Sequence, residues 1–445
     1  MIRASAGFDQ RALAAALESD AVVQYYRAFF ALLDWTHIPE RVVERPWPGG
    51  IPHPEAAYVK ALLVKLSEQK AYVTDLRTFL VQHPLLVLEL GFRPVLDPTQ
   101  PYGFDVQQTV PCDRWLREGQ QTLDNAVLRA LLRETVHALQ QEIPGLGETV
   151  AVDVKHIYAW VQENNPKAYV TNRYDPDRQP RGDRDCRLGV KRSTNQEQPD
   201  GTTKVRKEYV WGYGTGVVAA TDPRYGDVVL ADYTQPFNQT DPTYYRPLYQ
   251  RTVETLGFRP KNIAADAAFD AWYVYQDAAE AGGMAAVPLN TRGHPQPQLG
   301  ATGIHLCPKG WEMHPLYEFD HSDGYRAQEL RCPLLWPSAS GQNCDHEQFA
   351  KGVGCVKYIN ITAGGKMRIA LDRQAEQYKR IYRQRTAAER INSQAKALGI
   401  ERPQVRNSDS VHNLNTLTYI VINARALERV RALNVQGRHP QPLLC

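Results

Sequence analysis

The spacing of apolar residues changes abruptly near residue 146. Up to about residue 145 apolar residues recur every 3.6 positions, as in "TLDNAVLRALLRETVHALQQEI", which is typical of amphipathic helices. From "ETVAVDVKHIYAWVQEN" onward the period falls to two, which is typical of a strand with one buried face. The sequence therefore predicts a helical amino-terminal domain over residues 1–145, followed by an α/β domain.

The rest of the chain alternates between strand-like and helix-like segments. The segments "EYVWGYGTGVVAAT" and "GDVVLADYTQ" predict two strands, and "KNIAADAAFDAWYVYQDAAEAGGMAAVPLN" predicts strand, helix and strand. The polar, Arg- and Pro-rich stretch 164–207 is expected to be an extended loop. We predict a mixed sheet flanked by helices over 146–290 and 371–432, a β-rich insertion over 291–370, and a tail over 433–445.

Composition excludes several classes of protein. The chain has 445 residues and a net charge of only +3, and no apolar run reaches the roughly eighteen residues that a membrane span requires. The amino terminus carries charge throughout, unlike a secretory signal. Seven scattered cysteines fit a reducing compartment better than a disulfide framework. We therefore expect a cytoplasmic protein with no membrane partner.

Positive charge is concentrated near the carboxyl end. From Arg373 to Arg406 there are nine Lys or Arg residues against three Glu, which is the usual electrostatic footprint of a phosphate partner. Within it, "YRQRTAAERINSQAK" reads as one helix, on which Tyr382, Arg385, Glu389 and Lys396 would share a stripe roughly 60° wide. A solvated basic helix, the commoner interpretation of such a cluster, would scatter its charges more evenly.

Three carboxylates are candidates for a metal site. Asp153 lies within a predicted strand, Asp266 ends a later strand, and Glu389 lies on the predicted helix. Oxygen ligands of this kind suit Mg²⁺, and two such ions can activate a water or a 3′-hydroxyl in phosphodiester chemistry. Spacing alone does not single out these three, because the chain has 49 acidic residues. Three further aspartates also lie near predicted strand ends: Asp222, Asp227 and Asp232.

The motif around Glu389 resembles the signature of DDE transposases of bacterial insertion sequences. One branch of that family carries Tyr, two residues, Arg, three residues, Glu, six residues and Lys, and the four residues named above match it at every gap. "VDVKHIYA" and "IAADAAFDAW" resemble its two aspartate strands, and "RINSQAKALGIERPQVR" its downstream continuation. The resemblance covers most of the chain and implies a ribonuclease-H-like catalytic domain.

The resemblance also implies the chemistry. Asp153, Asp266 and Glu389 would be the catalytic residues and would bind Mg²⁺ (or Mn²⁺), as two ions. The expected partners are the terminal inverted repeats and target DNA, with a homodimer pairing two ends, in the bacterial cytoplasm and at the nucleoid when bound. A catalytically silent DNA-binding regulator and a nuclease of the same fold remain alternatives. The residues expected to contact DNA are Tyr382, Arg385, Lys396, Arg390 and Lys155.

The predicted insertion holds four of the seven cysteines, Cys307, Cys332, Cys344 and Cys355, with several histidines nearby. These residue types could bind a structural zinc ion. No close CxxC pair is present, however, so the spacing does not favour a zinc site.

Overall fold

A computed structural model describes residues 10–40, 52–197, 203–290 and 297–435. The chain divides into two compact units. The first unit comprises Met1–Gly147, Val152–Phe258 and Thr386–Cys445, and the second comprises Glu148–Ala151 and Arg259–Arg385. The predicted domain boundaries differ from these and stay a prediction. Most of the predicted tail, residues 436–445, lies outside the described residues.

The amino-terminal part of the first unit is built mainly from helices. Their bounds are α1 Gln10–Ser19, α2 Ala21–Phe30, α3 Glu55–Ser67, α4 Val73–Gln82, α5 Pro84–Leu90, α6 Val106–Thr109, α7 Asp113–Thr122 and α8 Asn125–Glu142. Aspartate side chains accept backbone N–H groups at the starts of α2, α6 and α8. The prediction of helices alone is wrong at one point, because β1 (Val95–Leu96) and β2 (Phe104–Asp105) form a short antiparallel pair.

A set of long antiparallel strands follows. The bounds are β3 Thr149–Tyr158, β4 Arg187–Glu197, β5 Thr203–Asp222 and β6 Gly226–Pro236. In the first unit β5 pairs with β4 on one side and, further along its length, with β6. Strand β3 runs through both units, since its first three residues belong to the second. A Cβ at Gly212 would lie 1.9 Å from the Ile157 carbonyl oxygen, so this position on β5 requires glycine.

The predicted loop over 164–207 is wrong in its second half, where the chain forms β4 and the start of β5. The reason is exposure. The described side chains at Val190, Lys204, Val205 and Lys207 are all exposed, so neither face of this hairpin carries the alternating apolar pattern by which a half-buried strand is recognised.

The second unit contains parallel strands and a small antiparallel sheet. Helix α9 (Pro242–Leu256) still belongs to the first unit. The elements of the second unit that follow it are β7 Asn262–Ala264, α10 Trp272–Glu280, β8 Met284–Ala286, β9 His314–Asp320, β10 Arg326–Arg331, α11 Glu347–Ala350, β11 Val356–Asn360, α12 Ala363–Ala370 and α13 Glu376–Arg383. The first residues of β3 pair in parallel with β7, which pairs in parallel with β8. Strand β10 pairs antiparallel with β9 and β11. The predicted α/β class with a mixed sheet is confirmed.

The segment predicted as a single helix is two helices. Helix α13 ends at Arg383 and α14 (Thr386–Ala397) begins three residues later. The N–H groups of Gln384 and Arg385 donate to carbonyls three residues back, which tightens the turn between them. The sequence shows no Pro or Gly at this break. The break is instead set by packing. The α13 residue Ile381 packs on Ala264 of β7 and Ala286 of β8, whereas α14 belongs to the first unit.

The last helix, α15 (Ser408–Val435), forms the centre of the first unit. Most of its residues are buried, including several polar ones. The side chain of Asn423 accepts from the Val229 N–H at 2.9 Å and donates to the Val229 carbonyl at 2.8 Å and to Thr135 at 2.9 Å. These bonds join α15 to both β6 and α8. Among the described residues, no helix is long and apolar enough to cross a membrane.

We predict that Asn423→Ala lowers the free energy of unfolding by about 2–4 kcal/mol, because it leaves buried backbone groups of Val229 without partners. The matched control is Glu428→Ala, an exposed position on the same helix, which should change it by less than about 1 kcal/mol. Urea unfolding followed by tryptophan fluorescence measures both free energies of unfolding. Equal effects of the two substitutions would contradict the stabilising role of the Asn423 hydrogen bonds.

Candidate active site

The first unit contains an open cavity of about 340 Å³ beside β3 and α14. It is lined by Asp153, Val154, Lys155, His156, Lys191, Glu389, Asn392, Ser393, Lys396 and Glu401. Four of these were predicted as site residues: the carboxylates Asp153 and Glu389, and the phosphate contacts Lys155 and Lys396. The fold therefore brings together side chains that are more than 230 positions apart in sequence.

A hydrogen bond joins α14 to the strand that carries Asp153. Asn392 donates from Nδ2 to Oδ2 of Asp153 at 2.9 Å. The Asn392 side chain is buried, and its Oδ1 has no hydrogen-bond partner among the described residues. Asn392 was not among the predicted site residues. It follows Glu389 by three residues and so lies on the same helix face, and this spacing could have identified it.

Three lysines from different elements surround one glutamate at the edge of the cavity. The carboxylate of Glu401 lies 2.8 Å from the Lys191 Nζ, 3.1 Å from the Lys396 Nζ and 3.8 Å from the Lys155 Nζ. Three ammonium groups against one carboxylate leave a local excess of positive charge. We call Lys155, Lys191, Lys396 and Glu401 the lysine cluster.

Within the lysine cluster, the opposite charges stabilise one another's ionised forms against the effect of burial, as the direction of the pKa shifts shows. Burial alone would raise the pKa of Glu401, but hydrogen bonds from Lys191 and Lys396 and the charge of Lys155 lower it to about 2. Burial lowers the pKa of Lys155, as do the neighbouring ammonium groups, against the attraction of Glu401. Burial also opposes the charged form of Lys191, yet its hydrogen bonds to Glu401 and Tyr158 raise its pKa.

His156 lies on β3 beside the lysine cluster. Its ring packs on Phe237, with centroids 4.3 Å apart. Burial and the charges of Lys191 and Lys155 lower its pKa to about 4. At neutral pH the imidazole is therefore uncharged.

Asp266 belongs to the second unit and lies two residues after the end of β7. Its Oδ1 accepts the Ala268 N–H at 2.9 Å, which caps a short turn. Ala151 of β3 is the parallel partner of Ala264. Asp153 and Asp266 each follow these paired residues by two positions.

Asp270 lies close to Asp266 in sequence but is occupied by an ion pair. Arg368 donates to both of its oxygens, at 2.8 and 2.6 Å, and the hydroxyl of Tyr275 and the N–H of Asn290 complete the set. The carboxylate therefore orders the surrounding backbone and helices.

The predicted DNA contacts fall into separate settings. Tyr382 stacks on Tyr378 with ring centroids 5.7 Å apart, and the Arg385 guanidinium lies 5.7 Å from the Tyr382 ring, all in the second unit. Because the predicted helix is two helices, the predicted continuous stripe is wrong, and only Glu389 and Lys396 share a helix. Arg390, another predicted DNA contact, forms an ion pair with Asp227 within the first unit.

The other candidate aspartates of the first unit have structural partners. Arg390 donates to both oxygens of Asp227, at 2.8 and 2.7 Å, so this guanidinium is engaged within the fold. Asp222 accepts the N–H groups of its own turn. Burial raises the pKa of Asp232, which accepts the Thr416 hydroxyl on α15.

Comparison with known protein families decides the class of the protein. A family model described as Transposase DDE domain matches residues 189–424, more than half of the chain. The chain belongs to this family. The matched span includes Asp266 and Glu389 and begins after Asp153. A comparison with the curated proteins gave no match.

Membership of the transposase DDE domain family fixes the broad activity. Its members are nucleic-acid-processing enzymes that act on DNA and generally use divalent metal ions. The mixed α/β architecture is that of a ribonuclease-H-like catalytic domain.

Two residues of the lysine cluster, Lys191 and Glu401, were not predicted as site residues. Lys191 lies in the stretch predicted as a loop, and Glu401 lies in a loop after α14.

We predict that the wild-type chain loses stability between pH about 6.5 and about 4 more steeply than His156→Gln does. The pKa of His156 is about 6.5 in the unfolded chain and about 4 in the folded state, where burial and the nearby lysines lower it. The unfolded state therefore binds a proton first, and stability falls as pH falls through this window. The difference should reach about 2 kcal/mol. Urea midpoints at several pH values measure this difference. Parallel pH profiles for wild type and His156→Gln would contradict the lowered pKa of His156.

Proposed function

We propose that this chain is a transposase that cleaves DNA at the ends of its own element and joins the 3′-OH ends to target DNA. One observation carries the proposal. Asp153 and Glu389 line the same cavity as a cluster of lysines, which pairs a hard-metal donor set with a phosphate-binding surface. Membership of the transposase DDE domain family supplies the class of reaction.

Asp266 is the third carboxylate of the proposed site. The parallel register of β3 and β7 supports this assignment, because Ala151 pairs with Ala264 and the two aspartates follow by equal steps. Asp270, the nearby alternative, is already held by Arg368.

The residues fit a pair of divalent cations such as Mg²⁺ or Mn²⁺. All three proposed ligands offer carboxylate oxygen, which these hard ions prefer. The buried Oδ1 of Asn392, without a partner among the described residues, adds an acceptor for a coordinated water. When bound, such ions supply Lewis-acid activation of the attacking hydroxyl and stabilisation of the leaving oxygen.

Asn392 positions the first carboxylate. Its Nδ2 hydrogen bond occupies one oxygen of Asp153 and fixes the carboxylate orientation relative to α14. Glu389 lies one helical turn before Asn392 on that helix. The bond therefore sets the distance between the two proposed ligands, which rigid elements hold better than loops do.

The lysine cluster binds the DNA backbone beside the scissile phosphate. Three ammonium groups carry about nine N–H donors, whereas one carboxylate offers about four acceptor sites. Donors therefore remain for a phosphate without breaking the pairs to Glu401. The carboxylate keeps the mutually repelling ammonium groups of Lys155, Lys191 and Lys396 together.

A basic surface continues from the cluster along the chain. The guanidinium of Arg402 lies 4.1 Å from the Tyr158 ring, and that of Arg406 lies 4.7 Å from the Trp160 ring. Stacked arginines of this kind are pre-ordered for contact with phosphate. We propose that this surface guides the DNA strand to the cavity. Pairing of two inverted-repeat ends would then require a homodimer in the synaptic complex.

We predict that Glu389→Gln abolishes Mg²⁺-dependent cleavage of end-containing DNA while end binding stays within a few-fold, because the substitution removes a charged ligand and keeps the side-chain volume. Glu376→Gln, an exposed position on α13, is the control and should cleave like wild type. Equal cleavage by Glu389→Gln and wild type would remove Glu389 from the mechanism.

The same assay separates the alternatives if it follows binding, cleavage and strand transfer in parallel. Wild-type cleavage without joining would identify a nuclease. Binding of end-containing DNA without cleavage would identify a silent regulator. Joining of 3′-OH ends to target DNA supports the proposed transposase.

We predict that Lys191→Gln weakens DNA binding for all sequences alike and reduces the slope of log affinity against log salt by about 1, because one phosphate contact is lost. Lys261→Gln, which removes an exposed ion pair with Glu148, is the matched control and should leave the slope unchanged. Fluorescence anisotropy over a salt series measures both slopes. A slope equal to that of wild type would exclude Lys191 from the interface.

A further inference from the structure

Four cysteines from separate segments of the second unit meet in one cluster. Cys307, Cys332 and Cys355 are buried together, and the partly buried Cys344 packs against them. The other buried members of this cluster are Met313, Leu330 and Leu334. Half of this small core is therefore cysteine.

Tight backbone turns follow two of these cysteines, Cys307 and Cys332. The Cys307 N–H donates to the Trp311 carbonyl at 2.8 Å, and the Gly310 N–H donates to the Cys307 carbonyl at 2.9 Å, which closes a tight turn after the cysteine. A second turn follows Cys332, whose carbonyl accepts the N–H groups of Leu335 and Trp336.

Gly354 brings the fourth segment against the second. Its φ is +68°, and a Cβ at this position would lie 2.5 Å from the Cβ of Cys332. Only glycine permits this approach, which sets the backbone immediately before Cys355 against Cys332. Two cysteines that are 23 positions apart in sequence are thereby neighbours.

Four adjacent thiolates would repel one another without a cation among them. Lys357, whose Nζ donates to the Leu306 carbonyl at 2.7 Å, adds positive charge beside the cluster.

We propose that Cys307, Cys332, Cys344 and Cys355 bind one structural zinc ion as four thiolates. Zinc favours tetrahedral thiolate sites, and binding would release the four thiol protons to solvent. A complex of one Zn²⁺ and four thiolates has a net charge of −2, which Lys357 partly offsets. This site is separate from the proposed catalytic carboxylates and does not depend on the proposed transposase reaction.

The thiols must move inward to coordinate an ion. Among the described residues, the group of three or more candidate ligands whose ligand atoms lie within 4.8 Å of one another is Asp34, His37 and Glu134, in the first unit. The cysteine sulfurs are spaced more widely than this, so coordination of one ion requires them to move closer together. The antiparallel sheet β9–β10–β11 has few buried apolar residues, and small units of this kind are commonly stabilised by a metal.

The test uses the full chain expressed in zinc-supplemented medium and then desalted. Elemental mass spectrometry should find about one zinc per chain in wild type and in Cys112→Ser, which alters a free thiol of the first unit. Cys332→Ser and Cys355→Ser should each lose most of this zinc. Cobalt-loaded wild type should show the thiolate-to-metal absorption that a site of carboxylates and histidine cannot give.

A second measurement covers variants that fail to fold. In native wild type, the four cluster thiols should resist a thiol reagent, as the buried Cys186 does, and those four should become reactive when a chelator removes the ion. Three results would overturn the proposal: wild type without zinc and without a cobalt–thiolate spectrum, zinc retained in both serine variants, or the four cysteines joined as disulfides in protein purified from a reducing cytoplasm.

Discussion

The hydrogen bond from Asn392 to Asp153 is the contact on which the proposed site depends. It joins helix α14 to strand β3, and the buried amide can satisfy its donor only if the two elements keep this relation. Glu389 is carried on the same helix, so its separation from Asp153 follows from the bond. Tertiary packing supports the arrangement, since Ala388 and Ile391 of α14 are buried.

Charge organises the surroundings of this contact. A lysine excess would normally disperse its ammonium groups into solvent, but Glu401 gathers three of them at the cavity edge. Burial alone would raise the pKa of Glu401, but the neighbouring lysines lower it to about 2, so this carboxylate is ionised at neutral pH. The neutral His156 beneath adds no charge to the cluster. Binding of a phosphate therefore meets a surface that is already assembled, which reduces the cost of ordering long side chains.

The sequence predicts those features that depend on local pattern and not those that depend on tertiary contacts. The strand–helix–strand segment around Asp266 was predictable because its apolar runs are short and bounded by turn residues. The β4–β5 hairpin was not, because its described outer residues Lys204, Val205 and Lys207 are exposed on both faces. The break before α14 carries no Pro or Gly and is set by packing. Lys191 and Glu401 meet only through folding, and the four cysteines lack the close spacing by which zinc sites are recognised.

The central claim is that Asp153, Asp266 and Glu389 share one pair of divalent ions. Iron-directed cleavage of the polypeptide tests it most directly: Fe²⁺ replaces the native ion, and the hydroxyl radicals formed with ascorbate and peroxide cut the backbone near each ligand. The account predicts three cuts, close to residues 153, 266 and 389, all suppressed by excess Mg²⁺. Cuts near residues 153 and 389 with none near 266, or cuts that Mg²⁺ does not suppress, would contradict it.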